Sequence, residues 1–488
     1  MFKIRFLIVV LFGLSILSTV SHLVAADESQ SLKAGAAMVD ITPLEFPVEV
    51  NGGFFPQFIE TVQDPLYVRC LVLSDGNLQI ALVVIDTCVF AFDFSERMKE
   101  EIVAKTGIAR NRIMISATHC HSAPALADTH SASAEKSYMD FLAGKVAGAV
   151  ARAQENLTPV KVGWAVGNDP NNVYCRRFLM KPGTAMTNPF SDKRDDRAMM
   201  NPGFNNPNMI ARTGPVDTAV SVLSLVSPDG KPVAVFANYS THYAGVRGGV
   251  LSGDYFGVFS QQIKEMIAEK VGQDNVSTRF VGMMSNGTSG DANCIDFLNP
   301  ERKFDYLSVG HDTAQAAMAV WPSIKYHDSI PLAMAEKRLT IANRVPTAEE
   351  VQAAKDRVAQ FPDGKPQSIP DVYALNVSGM GDWPKTSEVV VQAIRIGELG
   401  ITALPGEIYG ITGLEIKARS PFLPTFNIGL ANGNYGYIPP PEQHALGGYN
   451  TWRTQYCCLE VDAELTIRAT AIELLKGLNA AASEPRTK

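Results

Sequence analysis

Cysteine is scarce in this chain: there are seven in 488 residues, an odd number that leaves at least one unpaired. None shows the paired CxxC spacing of a four-cysteine structural zinc site. A basic cluster is also missing. The 43 Lys and Arg are outnumbered by 50 Asp and Glu, giving a formal net charge of -7. That balance excludes nucleic acid as a partner, and charge-driven binding to an anionic membrane. Past the N-terminus no apolar run reaches the ~20 residues of a membrane span, so no transmembrane segment is expected in the mature chain. The glycine-rich loop at Asn286 to Cys294 lacks the Lys-Ser/Thr ending of a phosphate loop. A Gly-x-Ser-x-Gly elbow is absent, which leaves Ser289 with little support as a nucleophile. No internal repeat or low-complexity tract is visible.

The N-terminus is distinctive. Lys3 and Arg5 precede an apolar run from Phe6 to Val20, and Val24-Ala25-Ala26 follows. These three parts make a secretory signal peptide over residues 1–26, with an uncleaved anchor as the second reading. The mature chain, 27–488, is expected outside the cytoplasm: periplasm, cell surface or medium. Export permits disulfides, and the vicinal Cys457-Cys458 pair reads more readily as buried than as reactive.

The rest alternates strands and helices. Leu66 to Phe90 reads as two strands joined by a Ser-Asp-Gly-Asn turn, and Val220 to His242 as a second hairpin turning at Ser-Pro-Asp-Gly. Helical spacing is found at Ser95 to Thr106, Ser137 to Gln154, Asp254 to Val271, Tyr306 to Val320 and Val461 to Leu478. Pro346 to Pro370 is charged, helical at first, then rich in Pro and Gly, and reads as a surface insertion. The expected fold class is α/β: one large domain in which helices flank a mixed β-sheet.

Candidate chemistry sits at strand ends. His119 and His121 follow a strand in ATHCHSAP, and on an extended segment residues two apart face one side. Such a pair can seat zinc, or join a ligand to a proton carrier. His242 follows a strand in NYSTHYAG, and Glu407 follows one in ALPGE. Tyr437 lies in a loop constrained by Gly436 and a proline run. Taken singly, each of these has an ordinary reading: a surface loop, a core histidine, a helix cap, a packing tyrosine.

Their order is more specific. The series VDITP, THCHSAP, YSTH, SGD, LPGE and GNYGYIPP resembles the neutral ceramidase family over about Gly35 to Glu460. The resemblance implies one zinc ion, held by His119, His242, Glu407 and Tyr437. It implies that His121 handles protons and that Arg176, taken over Arg177, lies near the reacting bond. A further family tyrosine falls on Tyr449, twelve residues past Tyr437. The implied reaction is hydrolysis of a small-molecule or lipid amide, ceramide-like, by water activated on zinc. Asn293 stands where the family has a serine, so a serine nucleophile is not expected. No C-terminal immunoglobulin-like domain is expected either. The rival readings are a zinc hydrolase of other amides, esters or lactones, and a secreted binding protein without turnover.

Overall fold

The computed structural model describes residues 31–129 and 132–480. The signal-peptide reading of residues 1–26 falls outside the described residues. Within them, no helix is long and apolar enough to cross a membrane.

Strand pairing reveals three copies of one unit. In the first, strand Lys33–Asp40 pairs antiparallel with Tyr67–Ser74, which pairs antiparallel with Gln79–Ile85. Helix Phe92–Thr106 then crosses over to strand Ile113–Ala117, which lies parallel to Gln79–Ile85, and helix Lys136–Glu155 follows. The second unit repeats this order. Strands Lys161–Asn168, Ala219–Val226 and Pro232–Tyr239 pair antiparallel; helix Asp254–Val271 leads to the parallel strand Val281–Asn286, and helix Tyr306–Val320 follows. The third has strands Leu332–Ala342, Thr386–Ile396 and Leu399–Ala403, helix Gly410–Arg419, the parallel strand Thr425–Ile428 and helix Ala463–Ala480. The α/β class holds, but three mixed sheets stand where one was expected. The repetition escaped the sequence because it is a repetition of pairing, carried by dissimilar residues.

Alternation along the strands explains the layering. In Tyr67–Ser74, Leu71 and Leu73 enter a central core shared by all three sheets, while Val68, Cys70 and Val72 face that unit's helices. In Pro232–Tyr239, Ala234 and Phe236 point to the centre, and Val235, Ala237 and Tyr239 to helices. In Thr386–Ile396, Ile394 and Ile396 are central, and Val389, Val391 and Ala393 pack outward. The hairpin turn at Ser74 to Asn77 forms because the Asp75 carboxylate accepts N–H bonds from Asn77 at 3.0 Å and Leu78 at 2.8 Å. All seven cysteines are unpaired and buried, Cys457 and Cys458 included.

The three parallel strands meet at their carboxyl ends. Ala117 N–H donates to Leu430 O at 3.2 Å, and Gly429 N–H donates to Asn286 O at 2.9 Å. The Asn286 side-chain amide donates to Thr118 O at 3.4 Å. These bonds close a ring through all three units.

Helix Phe92–Thr106 buries Lys99 completely, with Nζ 3.7 Å from Glu96 and no hydrogen-bond partner. Burial pulls the Lys99 amine down to about 8. Between pH 8 and the ordinary lysine value the unfolded chain then binds more protons, so stability rises with pH across that window. Glu96 retains Arg110 and Arg338 as partners. Lys99→Met is therefore expected to stabilise the fold at pH 7 by about 1–3 kcal/mol and to flatten that rise. Urea titrations at pH 7 and pH 10 measure both effects.

Candidate active site

The carboxyl ends of parallel strands supply the site, as expected for crevices outside such strands. Strand Gln79–Ile85 leads to Cys88, and Ile113–Ala117 to His119 and His121. Strand Pro232–Tyr239 leads to His242, and Val281–Asn286 to Ser289 and Gly290. Strand Leu399–Ala403 leads to Glu407, and Thr425–Ile428 to Tyr437. Each unit thus contributes from the same two positions.

His119 is buried and held at φ 73, in the left-handed region that few non-glycine residues occupy. Its backbone N–H donates to Thr87 O at 2.8 Å. The two histidines of the pair do converge, but through this left-handed turn rather than along an extended segment. His119 Nδ1 donates to Cys88 O at 2.9 Å, so the lone pair is on Nε2. That Nε2 lies 3.0 Å from His242 Nε2, 3.3 Å from His121 Nε2 and 3.5 Å from Glu407 Oε2. Burial, with Arg176 and His119 next in effect, pushes His242 well below the ordinary histidine range. Burial, then His119 and Arg176, does the same to His121. Both are neutral near pH 7.

Glu407 Oε2 is buried without a hydrogen-bond partner. An unpaired buried carboxylate oxygen is costly. Arg176 Nη2 also lies 3.4 Å from His242 Nε2, and the two facing Nε2 atoms with the open oxygen beside them make a three-sided N, N, O set that a divalent cation would satisfy. Ligand atoms of His119, His242 and Glu407 all lie within 4.8 Å of one another. Imidazole and carboxylate donors suit zinc.

Around this cage, Arg176 Nη2 donates to Gly290 O at 3.1 Å and to Tyr437 OH at 3.3 Å, and lies 3.9 Å from Glu407. Arg177 turns away, onto Gln443 and Asn450. Tyr437 reaches the cage edge; burial, and then Glu407, raise its hydroxyl well above the ordinary range. Tyr449 stands one layer out, its ring 5.9 Å from that of Tyr437 and its OH accepting from Asn201 at 3.3 Å. Asn293 also points toward Asn201, at 3.5 Å. His121 is clamped on two sides. Tyr243 stacks on it at 3.7 Å and 19°, and the Gly52 backbone bonds to it. Gly52 has φ +114, and a Cβ there would lie 2.0 Å from His121 Nδ1. Asp254 fixes the loop past His242 by accepting N–H bonds from Ala244 and Gly245, both at 2.9 Å.

The cage opens on a cavity of about 330 Å³, lined among others by Phe54, Val89, Met199, Tyr373 and Trp452.

No protein-family model and no curated protein matches the chain. Solved structures do. The neutral ceramidase from Pseudomonas aeruginosa is 16% identical, with TM-score 0.69 over 93% of this chain and 75% of that one. A ceramidase complexed with C2 is 15% identical, with TM-score 0.69 over 93% of this chain and 76% of that one. The fold is that of the neutral ceramidases. On this ceramidase fold the structure brings together His119, His121, His242, Glu407, Tyr437 and Arg176, with Tyr449 on the cavity wall. Sequence reasoning missed Cys88, Gly52, Tyr243, Asp254 and Tyr373. Only Tyr243, next to His242, carried a local signal.

Two outcomes check the arrangement. His119→Ala and His242→Ala should each abolish uptake of a divalent metal, while His121→Ala keeps it, as measured by metal content per chain after loading and dialysis. Gly52→Ala should keep bound metal, lower the melting temperature by a few degrees because φ +114 strains any residue with a Cβ, and lower kcat by about 100-fold, because displacing a reacting group by ~1 Å costs that much.

Proposed function

We propose that this chain is an exported, zinc-dependent hydrolase that cleaves the amide bond of a ceramide-like N-acyl lipid to a fatty acid and an amine. One observation carries the reading. A buried His119–His242–Glu407 cage, with an unpartnered carboxylate oxygen, opens on a cavity lined by aromatic and methionine side chains. The ceramidase fold supports the choice of amide and lipid, and the first 26 residues support export.

Zinc would be held by His119, His242 and Glu407, with Tyr437 at the edge; it would supply a Lewis acid that polarises an amide carbonyl and makes water acidic near pH 7. The protein's own groups do the rest. His121, neutral and stacked on Tyr243, accepts a proton from water at Nε2 and returns it to the leaving amine nitrogen. Arg176 Nη2 and the Tyr449 hydroxyl donate to the oxygen that gains charge. Apolar walls hold the hydrocarbon and exclude bulk water. The histidine, glutamate and arginine side chains of the cage and its rim argue against a binding protein without turnover.

The deciding measurement is fatty-acid release from an N-acylsphingosine by zinc-loaded protein, with and without a chelator. Release that the chelator abolishes and zinc restores is the expected result. Bound zinc without release from any N-acylsphingosine would overturn the lipid-amide reading.

A further inference from the structure

In each unit, a long connection between the first and second strands reaches the cavity. These bring Asn51 to Phe54, Arg176 to Asn201, and Tyr373. The third connection contains the segment that reads from sequence as a surface insertion. Its residues up to Pro370 are largely exposed, but the chain then continues in helix Ile369–Ser378, which buries Tyr373 against the cavity.

Tyr373 lies at the hub of an aromatic cluster drawn from four separate segments. Its ring centroid is 5.2 Å from that of Trp452, 6.2 Å from Phe190 and 6.4 Å from Phe54. Its position relative to the cage follows from a chain of contacts. Tyr437 borders the cage, Tyr449 packs on Tyr437 at 5.9 Å, Phe54 packs on Tyr449 at 5.4 Å, and Tyr373 lies against both Phe54 and the Tyr449 backbone. Ion pairs seat the arm that carries it. Arg357 bonds Asp371 at 2.8 Å, and Arg453 pairs with Glu350 at 2.9 Å while covering the Phe190 ring. The Tyr373 hydroxyl donates to Tyr449 O at 3.3 Å. A ring held this way is a fixed wall. The cavity it bounds, about 330 Å³, sits at the small end of the ~300–1,000 Å³ typical of small-molecule sites.

We infer that Tyr373, presented by this arm, is a specificity-determining residue that bounds the cavity away from the cage and limits the acyl chain of the substrate to short lengths. The inference rests on the lipid-amide reading for its substrate, and on the aromatic cluster for its geometry.

The test uses zinc-loaded protein and a series of N-acylsphingosines from acetyl to stearoyl. The parent should favour the short acyl chains. Tyr373→Ala should raise the stearoyl-to-hexanoyl ratio of kcat/KM by about tenfold or more, the scale on which an apolar pocket discriminates chain length, with the change mainly in KM. Tyr373→Leu, which fills more of the space, should shift the ratio less and in the same direction. Tyr373→Phe keeps the ring, loses the bond to Tyr449, and should leave the ratio unchanged. An unmoved ratio in both folded Ala and Leu variants overturns the inference. So does an equal shift in Tyr373→Phe, which would place the effect in the Tyr449 bond. Calorimetric titration of the same proteins with fatty acids from hexanoate to stearate separates the two readings. A Tyr373-dependent length shift in affinity without any turnover would retain the wall and discard the ceramide-like substrate. No shift in either assay discards the wall.

Discussion

The closed set of hydrogen bonds joining Thr118, Asn286 and the Gly429–Leu430 segment is the constraint on which the site depends. It ties the carboxyl ends of three parallel strands from three different sheets. Loops leaving those ends cannot separate without exposing buried amides and carbonyls, and each unmade bond of that kind costs about 1–3 kcal/mol. Further side-chain amides brace the same region. Asn238 donates to Asn427 O at 3.0 Å, and Asn432 to the Gln392 side chain at 2.9 Å. The central core beneath is apolar and shared by all three sheets, so tightening one unit positions the other two.

On that base the site concentrates polar groups that burial strips of water. Two histidines are held neutral, a carboxylate oxygen has no hydrogen-bond partner, and the Arg176 guanidinium is buried among them. An apolar cluster of the same volume would stabilise the fold better. The local strain points the same way. His119 and Asp254 both adopt left-handed backbone conformations, and each orients a loop that carries a cage residue. Strain and desolvation of this kind gather where a fold serves chemistry rather than stability.

Much of this was legible in the sequence. Hairpins with Asp-Gly turns, amphipathic helices and the strands before each candidate histidine all lie close to where periodicity placed them. Helices Asp254–Val271 and Tyr306–Val320 match in both bounds. The cage residues were recognisable through the order of their motifs, which resembles that of the neutral ceramidases; singly, each following an apolar strand, they had ordinary readings. Two things were not legible. The threefold repetition is written in which strand pairs with which, and dissimilar residues satisfy the same pairing. The second layer of the site comes from long connections whose residues meet only in three dimensions. Gly52 reads as one glycine in a turn, and Tyr373 as one tyrosine on a helix, until His121 and Trp452 are brought beside them.

The division of the cage among the units has a consequence for biosynthesis. His119 belongs to the first unit, His242 to the second and Glu407 to the third. No nascent chain that stops short of Glu407 can assemble it, however well the earlier units fold. Synthesis proceeds from the N-terminus, so the first two units must wait with two facing imidazoles and an open side. Capture of a cation by all three groups would have to follow synthesis of the third unit, so a filled centre would report that all three units have come together.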